Sequence, residues 1–288
     1  MFQYGENNLI GYLDRHKKES YSGSDHLRQY AENLKKFPVD WRYKDVKIAY
    51  HRNDFGHRSV EVDELDNDFI LFTGCSHTEG IGLPVEDSYP SIVAKLLKTN
   101  YYNLALGGSG GDIVYHNLVT WFKNKLPMPK FVCIQWPEAF RYAAIVTEDK
   151  FKNGMVGPAD SRSTGFSAKT QRFRHIKVLD IVHKNSAFKK LESFGVWGMT
   201  KAQADHRFGE YIKDFRTIRR KTVELLTQHK VKFIEFSVDL PALTIKLMFG
   251  ITIDDIPFNV IDKARDAMHA GPQTNAIFAR DLIRKIEI

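Results

Sequence analysis

Two short stretches of the chain hold residue types that can do covalent chemistry. FTGCSHTEG, from Phe72 to Gly80, sets Ser76 just behind the apolar run DFIL, and RDAMHAGP sets Asp266 three residues before His269 far downstream. A serine hydroxyl is a weak nucleophile until a base takes its proton, and the base works best when a carboxylate fixes its tautomer. Of the 11 histidines, His77 is a poor partner because adjacent residues on a tight turn point apart. His269 is the better one. On a single turn, the D-x-x-H spacing brings the Asp266 carboxylate to one ring nitrogen and leaves the other facing outward. Taken singly, Ser76 reads as a turn cap and the Asp–His pair as a helix cap; their joint presence points to chemistry.

The elements needed to position these residues are legible as alternation. DFILFTG is a strand-like run, and DSYPSIVAKLLK repeats Tyr89, Ile92, Val93, Leu96 and Leu97 at helical spacing, with Asp87 or Ser88 as cap. YYNLAL is a second strand, closed by GGSGGD. A helix follows, with Ile113, Val114, Leu118, Trp121 and Phe122 on its buried side, and FVCIQW is a third strand. Such alternation predicts parallel strands with right-handed crossovers and helices on both faces. In such sheets ligands bind beyond the carboxyl ends of the strands, where GCSHT, GGSGGD and QWPEAFR all fall.

Residues 1–66 read as an amino-terminal elaboration on a main domain of residues 67–288. The elaboration contains one helical pattern, SDHLRQYAENLKKF, after a Ser-Asp start. Residues 142–204 break the alternation and read as an insertion. A long helix over 205–229 then feeds the strand VKFIEFSV. PALTIKLMFG reads as a short helix, FNVID as a fifth short strand, and GPQTNAIFARDLIRKIEI as a closing helix with Pro272 in its first turn.

Composition narrows the functional classes. Apolar content of 43% with 27% charged residues fits a soluble globular protein, and no run is long and apolar enough to span a membrane. The amino terminus lacks the pattern of a secretory signal, so the expected compartment is cytoplasmic. Two cysteines, Cys75 and Cys133, are too few for a disulfide framework and are expected as buried free thiols. The net charge of +7 is concentrated between Tyr142 and Ala204, with 11 Lys or Arg against 5 Asp or Glu. A solvated basic surface is the common outcome of such a run, and an anionic substrate the alternative. GGSGGD lacks the spacing of a P-loop or dinucleotide site, and His77 and His116 have no matching cluster for a metal. Nucleic acid is not an expected partner.

GCSHTEG, NLALGGSGGD and RDAMHAGP, in this order, resemble the SGNH (GDSL-type) hydrolases. That family sets its serine after the first strand, a glycine after the second, an asparagine after the third and a D-x-x-H block near the carboxyl terminus. YHRNDFGHRS is similar to the N-x-x-G-x-R lead-in of some members. The resemblance covers roughly residues 50–140 and 230–286. It implies a three-layer α/β/α sandwich with a parallel, flavodoxin-like sheet of about five strands. It also implies a serine esterase that cleaves a carboxylic ester of a lipid, an acetylated glycan or another small alcohol through an acyl-enzyme, without cofactor or metal. Ser76 matches the nucleophile, His269 the base and Asp266 the residue that orients it. The oxyanion donors would be the backbone N–H of Ser76, that of Gly108 (or Gly107 in the alternative register) and a third-block amide. Cys75 replaces the first-block aspartate, and IQWPEAFR holds no asparagine. Gln135 is the nearest amide, with Trp136 and Arg141 as other donors. An O-acyltransferase, or a binding protein on the same scaffold, remains compatible with these motifs.

Overall fold

The structure, a computed structural model, describes residues 9–12, 16, 18–66, 68–137, 201–238, 242, 245–246 and 250–286, with the strand backbones at 143–147 and 171–175. In chain order the strands are β1 (Lys18–Glu19), β2 (Tyr50–His51), β3 (Phe69–Thr73), β4 (Asn100–Asn103), β5 (Phe131–Trp136), β6 (Ala143–Thr147), β7 (Gln171–His175) and β8 (Lys232–Ser237). The α-helices are α1 (Leu27–Lys36), α2 (Ser76–Glu79), α3 (Tyr89–Leu97), α4 (Gly111–Lys123), α5 (Lys201–Gln228) and α6 (Pro272–Lys285).

The central sheet is parallel, in the order β4-β3-β5-β8. Phe72 of β3 pairs with Asn103 of β4 and with Cys133 of β5, which in turn pairs with Ile234 of β8. The chain begins in the middle and winds to both sides, the order of a flavodoxin-like doubly wound sheet. Every residue of β3 and β5 is buried, as expected for strands covered on both faces. Strand alternation divides them. Phe69 and Leu71 pack with Trp121 of α4 and Phe215 of α5, whereas Ile70 and Phe72 pack with Tyr89 and Val93 of α3 and Phe278 and Leu282 of α6. This is the three-layer α/β/α arrangement. Both cysteines are free and buried, and burial in the core pushes the Cys133 thiol well up.

Four strands, not five, form this sheet among the described residues, because FNVID is not a strand. The backbone N–H of Ile261 donates to the Thr274 hydroxyl, and the Asp262 carboxylate accepts the N–H groups of Gln273 and Thr274. The segment thus satisfies the first turn of α6, whose N–H groups have no intrahelical acceptor, instead of a ladder. Of PALTIKLMFG, only Ala242, Ile245, Lys246 and Gly250 are described, the first three in helical conformation. Most of the basic stretch 142–204 lies outside the described residues, apart from the antiparallel pairing of β6 with β7. No helix among the described residues is long and apolar enough to cross a membrane.

The segment before β3 packs against the carboxyl ends of the strands. Tyr43, Ile48 and Tyr50 share a cluster with Ile81, Leu83 and Ala264. Helix α1 turns Asn33 inward, where its amide donates to the Arg265 carbonyl at 2.8 Å, and leaves Leu27 and Leu34 exposed. Its cap is His26, whose Nδ1 accepts the Gln29 N–H at 3.1 Å, and not the serine or aspartate before it.

Candidate active site

Strand β3 ends at Thr73, and the chain turns at once into the single-turn helix α2, with Cys75 as N-cap and Ser76 as first residue. Gly74 makes the turn possible by close approach: a Cβ there would lie 2.4 Å from the Thr78 hydroxyl and 2.7 Å from Gln135 Oε1. Gly80 closes the helix in the left-handed conformation, at φ 78°, which a residue without Cβ adopts freely.

The buried Arg58 guanidinium lies beneath this helix end. It donates to the carbonyls of Gly80 at 2.7 Å, Leu83 at 2.8 Å and Ala49 at 3.0 Å. Burial lowers the pKa of Arg58, and the three carbonyls take the place of part of the water it loses. The lead-in HRNDFGHR thereby acquires a physical role, which its sequence alone did not disclose. Asn53 closes its own turn by accepting the N–H groups of Phe55 and His57, and Arg58 braces the serine's helix.

The loop that carries Asp266 and His269 is closed on itself and docked on the serine's side of the sheet. Ala264 N–H donates to the His269 carbonyl at 3.0 Å, and Arg265 N–H to the Gly82 carbonyl at 2.9 Å. Gly82, at φ 81°, admits this approach, since a Cβ there would meet Ala264 Cβ at 2.8 Å and Asp266 Oδ1 at 3.2 Å. Asp266 Oδ1 accepts the N–H groups of Met268 and His269, both at 3.0 Å. Its Oδ2 lies 2.5 Å from His269 Nδ1, and His269 Nε2 lies 2.7 Å from Ser76 Oγ. The carboxylate is fully buried, whereas the imidazole is 13% exposed. Burial pushes the Asp266 carboxyl up. Hydrogen bonds and charge from His269, with a hydrogen bond from Ser24, outweigh that and hold it down at about 2.

His77 packs edge-on against His269, with ring centroids 4.9 Å apart, and against Phe258 at 5.4 Å. It forms part of the wall around the imidazole.

The glycine block after β4 brings two adjacent amides near the serine turn, and their partners differ. Gly107 N–H donates to Glu79 Oε2 at 2.5 Å, a carboxylate oxygen that also accepts the Tyr12 hydroxyl at 2.9 Å. Gly108, at φ 78°, has no acceptor for its N–H among the described residues, and neither has Ser76. Ser109 ties the block to β3 through a 2.8 Å hydrogen bond from its hydroxyl to the Gly74 carbonyl.

Gln135 reaches the same turn from below. Its Oε1 accepts the Cys75 N–H at 3.0 Å, the Cys75 thiol at 3.2 Å and the Thr78 hydroxyl at 2.9 Å, and its Nε2 donates to the Trp136 carbonyl. The side chain is completely buried, so it braces the turn and its amide does not face an open site. Strand alternation sends Trp136 to the other face, where its indole N–H donates to Glu235 at 2.9 Å. Arg141 lies outside the described residues.

Four supporting residues escaped the sequence reading: Ser24, Tyr12, Arg58 and Glu79. Arg58 and Glu79 stood inside quoted motifs, though neither motif disclosed their roles; Tyr12 and Ser24 reach the site across long sequence separations. A cluster of His16, Asp54 and Glu61 meets the spacing for a metal ion, but His16 and Asp54 are exposed and the groups pair locally, the Asp54 carboxylate with His16 and the Glu61 carboxylate with the Asp54 N–H.

No family model and no curated protein matches the sequence. Solved structures with some likeness include a lipolytic protein of the G-D-S-L family from Veillonella parvula, at 13% identity and TM-score 0.32, covering 76% of this chain and 98% of that one. An acetyl xylan esterase from Butyrivibrio proteoclasticus follows at 15% and 0.40, covering 76% of this chain and 63% of that one. A family two carbohydrate esterase from Clostridium thermocellum, in complex with cellohexaose, matches at 16% and 0.31, covering 77% and 64%. In the order of its three sequence blocks and of its strands, the chain resembles the SGNH (GDSL-type) hydrolases.

Proposed function

We propose that the protein is a serine esterase of SGNH type that cleaves a carboxylic ester through an acyl-enzyme. The observation that carries this reading is the continuous hydrogen-bonded line from Ser76 Oγ through His269 to Asp266, at 2.7 and 2.5 Å. It joins two loops distant in sequence and offers base, tautomer control and nucleophile in one geometry. Ser76 attacks the acyl carbon while His269 Nε2 takes its proton. The alcohol leaves with that proton, and water then repeats the sequence in reverse roles to release the acid. The backbone N–H groups of Ser76 and Gly108 are the proposed oxyanion donors, because both lack an internal acceptor among the described residues. Gly107, the alternative register, is excluded from that role in this reading by its bond to Glu79. Gln135 is proposed as a brace of the turn and not as an oxyanion donor.

The narrower substrate reading is a small acyl group on a glycan, and acetylated oligosaccharides are the first substrates to assay. An O-acyltransferase would share the acyl-enzyme and differ in the second acceptor, so product analysis with sugar acceptors separates transfer from hydrolysis. Labelling with a fluorophosphonate probe, together with hydrolysis of p-nitrophenyl acetate, tests the central claim. Wild-type protein is expected to label and turn over, and Ser76→Ala to do neither. Equal labelling of the two proteins would sink the catalytic reading in favour of a binding protein on the same scaffold.

A further inference from the structure

The Asp266 carboxylate receives a donor from a part of the chain that the triad does not require. Ser24 Oγ lies 2.6 Å from Asp266 Oδ2, the oxygen that also faces His269 Nδ1, and 3.4 Å from Nδ1 itself. The remaining donors to this carboxylate, the N–H groups of Met268 and His269, belong to its own loop.

Ser24 is held in place from several sides. Ser22 and Asp25 exchange backbone hydrogen bonds at 2.8 and 3.0 Å across the turn, and Gly23 occupies it at φ 58°. The next residue, Asp25, is completely buried and grips the guanidinium of Arg265, immediately before Asp266, at 2.9 Å (Nε to Oδ1) and 2.7 Å (Nη2 to Oδ2). Tyr50 donates to the same Asp25 at 2.5 Å, and Arg52 donates to the Ser22 hydroxyl at 2.7 Å. The residue directly before α1 is its cap, and that residue is His26, so neither Ser24 nor Asp25 is needed there. Both side chains are therefore spent on the Arg265–Asp266 loop.

We propose that Ser24 is a positioning residue of the triad: its hydroxyl, presented by the amino-terminal turn, fixes the Asp266 carboxylate and shares the charge of the oxygen facing His269. This inference rests on the hydrolase reading above for its effect on rate. A hydrogen bond to a carboxylate stabilises its charge and weakens its hold on a neighbouring imidazolium. Removing Ser24 therefore lets Asp266 turn about its side-chain bond and makes the imidazolium harder to deprotonate. The other titratable or charged groups around the pair are His77, against the His269 ring, the Asp25–Arg265 pair, and Tyr43 and Asp262, which interact electrostatically near Asp266. None of these side chains is itself replaced in the Ser24 variants.

The full chain is compared as wild type, Ser24→Ala, Ser24→Cys and Ser24→Thr, with p-nitrophenyl acetate turnover across pH and NMR titration of the His269 imidazole. In Ser24→Ala we expect a loss of about tenfold in kcat/KM, an acid limb moved upward by about half a pH unit, and the same upward shift of the imidazole titration. Ser24→Cys, which keeps the volume and weakens the donor, is expected to behave alike, and Ser24→Thr to recover most of the loss. A wild-type imidazole titration in Ser24→Ala or Ser24→Cys overturns the proposal, as does a rate loss with an unchanged pH profile that Ser24→Thr does not restore. The NMR readout does not depend on turnover, so it judges Ser24 even if Ser76→Ala proves indistinguishable from wild type and the hydrolase reading itself falls.

Discussion

Cys75 and Gln135 are joined twice, because the Gln135 carboxamide oxygen takes both the Cys75 N–H at 3.0 Å and its thiol at 3.2 Å. The middle of the sheet thereby holds the residue just ahead of Ser76. Gln135→Leu strips the acceptor from the buried Cys75 N–H, which costs about 1–3 kcal/mol, and removes one of the two partners of the Thr78 hydroxyl, whose other partner is the Tyr89 hydroxyl. Urea unfolding should register a loss of about 2 kcal/mol or more, alongside reduced turnover. Unchanged stability with a selective fall in kcat would instead point to a direct oxyanion role for this amide.

Asp266→Asn preserves shape but removes the charge and the fixed tautomer of His269. By analogy with other triads we expect kcat to fall roughly 10⁴-fold, measured with an activated ester. The folded-state pKa of Asp266 is depressed to about 2, below the ordinary value of about 3.9. Its contribution to stability is therefore present above pH 4 or so and is lost as pH falls through about 2. The difference in unfolding free energy between wild type and Asp266→Asn should shrink as pH falls across that window.

Arg58→Met removes a buried donor set that serves the Gly80 and Leu83 carbonyls just after the serine's helix and the Ala49 carbonyl just before β2. Those carbonyls cannot all reach water, and the expected destabilisation is about 3 kcal/mol or more, read from thermal and urea unfolding. A melting temperature within about a degree of wild type would show that the bracing of α2 comes from elsewhere.

Glu79 fixes the amide plane next to Gly108 by accepting the Gly107 N–H at 2.5 Å. Its carboxyl is pushed up by burial and pulled back by Arg52, Tyr12 and the Gly107 amide. Glu79→Leu frees that peptide to turn. We expect kcat to fall about tenfold with KM little changed, because the proposed oxyanion donor, the Gly108 N–H, would act in the transition state and not on the bound ester. A rise in KM at constant kcat would move Glu79 from the oxyanion loop to substrate binding.

Much of the fold was legible from periodicity. The apolar runs of β3, β5 and β8 and the amphipathic repeats of α3, α4 and α6 are local signals, and their alternation has few parallel arrangements that bury both faces. FNVID misled because its apolar residues look strand-like while its last residue, Asp262, is committed to the start of α6. The Ser-Asp start of α1 misled in the same way. Residue type pointed to Ser24 or Asp25 as the start of α1, and tertiary partners in the Arg265–Asp266 loop claimed both side chains.

The sequence by itself determined the alternating framework, the turn that exposes Ser76 and the D-x-x-H spacing that sets Asp266 against His269, since each depends on residues within a few positions of one another. Only the tertiary structure decided that His269 reaches Ser76 at 2.7 Å, that Gly107 is occupied while Gly108 is not, and that Gln135 supports the turn from within the sheet. It also decided that Ser24 leans on Asp266. Those relationships join side chains far apart along the chain, and their geometry follows from how layers pack and buried polar groups find partners, which no local pattern encodes.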